Sequence, residues 1–183
     1  GGTFSGIASG TLANGQTVII QSDGTVKAVS GDTQSVGSAA VFESANVSGS
    51  YELAATFDST NGKVVIAYMD GGNSNYGTAV VGTVSGTSIS FGTPVVFNSA
   101  QTEYISATFD STNGKVVITY NDEGNSSSGT AIVGTVSGTS ISFGSEAVFN
   151  SGQSVSTSTF DSTNGKVVIV FRDGPNSNYG TAV

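Results

Sequence analysis

Asp, Asn and Gly hold fixed places in one short segment, Asp70-Gly71-Gly72-Asn73-Ser74-Asn75-Tyr76-Gly77. It returns as Asp122-Glu123-Gly124-Asn125-Ser126-Ser127-Ser128-Gly129 and as Asp173-Gly174-Pro175-Asn176-Ser177-Asn178-Tyr179-Gly180. Carboxylate, amide and backbone oxygens suit a hard ion such as Ca2+. The spacing is not that of an EF-hand, however, and each copy supplies only one or two carboxylates. The same residues suit a glycan or receptor. Tyr76 or Tyr179 would then be a stacking platform, with Asp70, Asn73, Asp122, Asn125, Asp173 and Asn176 as hydrogen-bonding partners. The favoured reading is plainer: a structural turn in which Asp70 and Asn73 bond their own backbone and Gly77 takes the exit conformation.

Asp58, Asp110 and Asp161 also invite a chemical reading, as catalytic carboxylates. Each opens an identical Asp-Ser-Thr-Asn-Gly segment. A hydrolase needs one asymmetric acid–base pair, and three equal copies do not mark one out. A turn is the favoured role. The chain has no His and no Cys, which removes the usual nucleophile triad, the commonest general base and thiolate metal sites. No catalytic residue and no required cofactor is expected. The protein reads as a non-enzyme.

Five Lys and Arg against thirteen Asp and Glu give a net charge of −8. Nucleic-acid binding needs clustered basic side chains, so it is not expected. No run of about 18 apolar residues is present to span a bilayer as a helix.

The elements that would carry these segments are strands. Phe57-Asp58-Ser59-Thr60-Asn61-Gly62-Lys63-Val64-Val65-Ile66 recurs without change from Phe109 and from Phe160, 52 and then 51 residues on. Such periods belong to propellers, solenoids or arrays. One full unit divides into four strand candidates: Tyr51 to Phe57, Lys63 to Met69, Gly77 to Val84, and Ser88 to Phe97. The fourth is bent at Gly92-Thr93-Pro94. Asn61-Gly62 and Ser85-Gly86-Thr87 supply the tight turns. In the second strand Val64, Ile66 and Tyr68 share one face, as do Val116, Ile118 and Tyr120, then Val167, Ile169 and Phe171. That period of two marks a strand. The recurring Phe42, Phe97 and Phe149, with Phe57, Phe109 and Phe160, read as core. Lys63, Lys115 and Lys166 read as solvated residues at strand starts.

The expected fold is therefore all-β: tandem four-stranded antiparallel units of about 51 residues, propeller-like in kind. Residues 1–33 precede them as a small β-hairpin element with Ser22-Asp23-Gly24 at its turn, serving as attachment module or cap. The repeat domain covers 34–183, with a partial unit 36–50, units 51–101 and 102–152, and a partial unit 153–183. Small residues in the first strands (Ala54 and Ala55, Ser106 and Ala107, Thr157 and Ser158) suit a crowded central channel. A fourth strand near residue 40 and first to third strands after residue 153 would together make one composite unit. Three units are fewer than the roughly four to eight blades that close a propeller. More repeats, subunit assembly or a stacked shaft remain open.

The signatures Phe-Asp-Ser-Thr-Asn-Gly-Lys-Val-Val and Gly-Thr-Val-Ser-Gly-Thr-Ser-Ile-Ser-Phe-Gly, within 57–98 and 109–150, resemble repeats in virion structural proteins of marine tailed bacteriophages. The leader Ala8 to Val18 and Asp23 to Val26 is similar to hairpins of their tail-fibre and appendage proteins. The resemblance implies a virion-surface component (tail fibre, appendage or capsid decoration). Its partners would be other virion proteins, copies of itself and a host-surface glycan or receptor. A secreted or cell-surface bacterial adhesin or lectin-like module is the alternative.

Overall fold

Hairpins form where Asp and Gly punctuate β-branched runs, because Gly takes the positive φ that tight turns demand. The computed structural model describes residues 6–8, 10–12, 18–28, 36–47 and 52–183. Tyr51, placed at a strand start by sequence, lies outside these. The chain divides into two compact units, Gly1–Val36 and Gly37–Val183.

In the first unit β1 (Val18–Ile20) pairs antiparallel with β2 (Val26–Ala28), Ile19 opposite Lys27. The turn is the expected one. Gly24 has φ 81°, and Asp23 Oδ1 accepts from the Thr25 backbone N at 2.9 Å and from its Oγ1 at 2.7 Å.

In the second unit β3 (Leu53–Asp58), β4 (Lys63–Asp70) and β5 (Tyr76–Ser85) pair antiparallel in order. The fourth strand is split as expected. β6 (Ser88–Phe91) pairs with one end of β5, Thr83 opposite Ser90. β7 (Val95–Asp110) begins on the other end, Thr78 opposite Val96. The second repeat repeats the scheme with β8 (Lys115–Asp122), β9 (Ser128–Ser137), β10 (Ser140–Phe143) and β11 (Ala147–Asn150). The third has β12 (Ser154–Asp161), β13 (Lys166–Asp173) and β14 (Tyr179–Ala182) in a sheet of its own. All the sheet pairings of this unit are antiparallel, and the fold is all-β.

β7 leaves the first repeat and continues into the second, pairing with β5 up to Gln101 and with β8 from Thr102. At the changeover the register slips between Glu103 and Ser106, and Tyr104 sits at φ 52°. A bulge of this kind re-aims a strand. The expected composite unit does not form within one chain: among the described residues 36–47 contain no strand, and β14 pairs only with β13.

The sheets pack face against face. Call the side carrying Val64, Ile66 and Tyr68 the front, and the side carrying Val65, Ala67 and Met69 the back. The back of the first repeat shares one buried cluster with the front of the second, Val116, Ile118 and Tyr120, joined by Ile105 and Phe109. Burying each such side chain contributes roughly 1.5–3 kcal/mol. The back of the second repeat meets the front of the third more politely. Ser156 Oγ donates to Thr119 Oγ1 at 3.0 Å, and Ser106 Oγ lies 3.2 Å from Ser158 Oγ while accepting from the Ser158 backbone N. Small first-strand residues thus let neighbouring first strands approach.

A phenylalanine from each fourth-strand segment stitches its repeat to the next. Phe42 packs edge-on against Tyr68 and Phe91, while Phe97 packs tilted against Tyr120 and Phe143, and Phe149 tilted against Phe171, with centroids 5.0–5.9 Å apart. The opening phenylalanines differ: Phe109 is 9% exposed, but Phe57 is 57% exposed and is not core.

Candidate functional site

The three Asp-to-Gly loops leave the ends of β4, β8 and β13, where the second strand turns back into the third. The Asp70 carboxylate turns inward. Its Oδ1 accepts from the Gly72 backbone N at 2.9 Å, and its carbonyl accepts from the N–H groups of Asn73 and Asn75. The Asn73 carbonyl then accepts from the Tyr76 N–H at 3.0 Å. Asp173 and Asn176 close their loop the same way, Asn176 N to the Asp173 carbonyl and Tyr179 N to the Asn176 carbonyl. In the second copy Asp122 Oδ1 accepts from Gly124 N at 2.9 Å and from Asn98 Nδ2 at 3.0 Å, while Ser128 Oγ donates to the Asn125 carbonyl at 2.6 Å. The self-bonded turn is therefore what the loop backbone makes.

The exit conformation is not where the sequence suggests. Gly77 has no positive φ; Ser74 and Asn75 (57° and 61°), Ser126 and Ser127, and Ser177 and Asn178 carry the left-handed turn instead. Gly77 is glycine for a packing reason. A Cβ there would run into the Phe97 ring and Thr102 Oγ1, just as one at Gly129 would meet Phe149 and Ser154 Oγ.

The loops are also pinned from outside. Gly71 N donates to the Asn46 carbonyl and Gly174 N to the Gln153 carbonyl, so the first and third loops rest on the chain just before the first strand of their own repeat. The asparagine points outward in every copy, the side chains of Asn73, Asn125 and Asn176 being exposed, whereas the tyrosine position differs: Tyr76 is half-buried, Ser128 is buried and Tyr179 is 62% exposed. Asp70 and Asp122 are buried, and Asp173 is half-buried. Outward amides and one aromatic face can hydrogen-bond and stack against a polar ligand. The aspartates cannot readily join them.

Calcium takes about six to eight oxygen ligands. Each loop spends an aspartate oxygen on its own backbone, and among the described residues no group of three or more His, Cys, Asp and Glu converges. These residues do not fit that ion.

Asp58, Asp110 and Asp161 are occupied as turn formers. In each, Oδ1 accepts from two backbone N–H groups and Oδ2 from an asparagine Nδ2, for example Asn113 Nδ2 to Asp110 Oδ2 at 2.7 Å. The asparagine donors hold the Asp110 and Asp161 carboxyls below their usual range, more than burial raises that of Asp110. That is the opposite of a poised general acid. Lys63 and Lys115 reach across their hairpins to Thr83 and Thr135 Oγ1 at 2.8 and 2.7 Å.

Sequence reading missed two polar pairs. The fully buried Tyr68 donates its hydroxyl to Glu43 at 3.2 Å, and Tyr120 to Glu146 at 2.9 Å. Burial, then the facing carboxylates, push both phenols well above their ordinary range. The signal was present: Phe171 stands at the third position and needs no acceptor. No family model, characterised protein or solved structure is significantly similar to the chain.

Proposed function

We propose that this chain is a non-enzymatic virion structural protein, a tail fibre, appendage or capsid-surface decoration, built from propeller-like blades. It contributes to assembly and to recognition of a host-surface glycan or receptor. The observation that carries this reading is the threefold recurrence of one self-braced loop with an outward asparagine: Asn73, Asn125 and Asn176. A rigid loop binds without a large ordering cost. Repetition turns weak identical contacts into avidity. The turn-committed carboxylates support a binding role over hydrolysis.

Quantitative proteomics of density-purified, nuclease-treated particles from the source culture tests the assignment. The chain should co-purify with particles at a stoichiometry of several copies. Recovery only in a cell-envelope fraction would replace this reading with the bacterial adhesin. A glycan array probed with the wild type and with Asn73, Asn125 and Asn176 all changed to Ala tests recognition. The triple variant should lose binding while keeping its β-sheet circular dichroism.

A further inference from the structure

The three hairpin turns each hold an Asn-Gly pair: Asn61-Gly62, Asn113-Gly114 and Asn164-Gly165. Asparagine is a labile residue, and a following glycine has no side chain to shield its backbone nitrogen. The reaction open to such a pair is intramolecular. The glycine nitrogen attacks the asparagine Cγ, the N–Cγ bond forms, and the Cγ–Nδ2 bond breaks. Ammonia leaves, carrying the proton of the glycine N–H. Water then opens the cyclic imide at either carbonyl and leaves aspartate or isoaspartate.

Burial does not shield these amides, because Asn61, Asn113 and Asn164 are all exposed. Hydrogen bonds hold them instead. In each turn the carboxamide Nδ2 donates to Oδ2 of the aspartate three residues back, at 2.8, 2.7 and 2.6 Å. Oδ1 of the same aspartate accepts from the asparagine backbone N, at 3.0, 3.0 and 3.2 Å. One carboxylate thus grips each asparagine at two points. The carboxamide is tied to the start of the turn and is not free to swing onto the glycine nitrogen. Orientation dominates the rate of an intramolecular attack, so fixing the wrong orientation is an effective brake. Charge adds to it. The attacking nitrogen must shed its proton, and a negative charge nearby disfavours that. The Asp110 and Asp161 carboxyls, held low by their asparagines, are ionised wherever the solution is basic enough to promote the attack.

We propose that Asp58, Asp110 and Asp161 protect the chain chemically: each clamps its asparagine against deamidation, and each Asn-Gly pair becomes a site of this spontaneous modification when the clamp opens. The change then cannot be undone within the turn. The aspartate product carries a carboxylate where an Nδ2 donor stood, and its repulsion by the clamping aspartate keeps the turn from re-forming. Isoaspartate also lengthens the turn backbone, which disturbs the register that the hairpin sets. The clamp is complete within each hairpin, from Asp to Gly, and does not rest on the virion reading.

Tryptic mapping of the full chain after incubation in mildly alkaline buffer tests this. Cleavage after Lys27, Lys63, Lys115 and Lys166 puts each Asn-Gly pair in a peptide of its own, and mass spectrometry reads the deamidated fraction. The folded wild type should deamidate at all three pairs at least about tenfold more slowly than the same chain in guanidinium, a factor that one hydrogen bond to a charged group supplies. Asp110→Ala should speed Asn113 alone by a similar factor, with Asn61 and Asn164 as internal controls for the fold. Asp110→Ser keeps an acceptor for the turn N–H groups but lacks the second oxygen, and it should speed Asn113 too. Equal rates in the folded and unfolded wild type, an unchanged Asn113 in both variants, or all three pairs speeding up together in both variants would overturn the proposal.

Discussion

The second repeat and its two neighbours carry the same ten-residue segment, yet it lives in different surroundings. Phe109 is sealed between sheets, and Phe57, identical in sequence and turn geometry, faces outward. The hairpin itself is unaffected: Gly62, Gly114 and Gly165 have φ of 62°, 63° and 62°. Local chemistry makes the turn, while the neighbouring sheet decides how much the side chains contribute. Stability in a repeat array is therefore distributed by contact with neighbours.

The largest expected difference is between the phenylalanines. Phe109→Ala should cost about 3–5 kcal/mol, as for other buried aromatics. Phe57→Ala should stay within roughly 0.5 kcal/mol, the range of surface changes. Urea unfolding of each at low protein concentration reads this out, and equal costs would break the comparison. Next come the packing glycines. Gly129→Ala drives a Cβ into Phe149 and should cost about 1–3 kcal/mol.

The turn glycines should ignore their surroundings. Gly62→Ala, Gly114→Ala and Gly165→Ala each force a side chain into the left-handed region, at about 1–2 kcal/mol apiece. Similar penalties in all three copies would sharpen the division between local and neighbour-dependent terms. The smallest effect is in pH. The Asp110 and Asp161 carboxyls are held low in the folded chain, chiefly by Asn113 and Asn164. Their contribution is thus complete above the unfolded value of about 3.9 and is lost as pH falls through the folded values below it. Carbonyl-carbon NMR titration should find both midpoints below that value, and Asn113→Ala should raise the Asp110 midpoint.

Much of this was legible because strands and turns are local. Period two in Val64, Ile66 and Tyr68, and Asn-Gly at 61–62, gave β4 and its hairpin to within a residue. Gly92-Thr93-Pro94 marked the break between β6 and β7. The changeover at Tyr104 was not legible, since nothing about a tyrosine announces a left-handed φ; the two sheets competing for β7 impose it. Within the loops the self-bonding of Asp70 followed from residue type, but the role of Gly77 did not, because its reason is the distant Phe97. Nor can identical sequences reveal that Phe57 and Phe109 differ in burial.

Amide hydrogen exchange in the three identical segments, 57–66, 109–118 and 160–169, followed by NMR, tests the central claim most directly. Their shared sequence makes intrinsic exchange rates nearly equal, so differences report surroundings alone. The account expects 109–118 to be the most protected of the three, because a sheet covers it on both faces. Equal protection in all three, or the strongest protection in an outer copy, would contradict it.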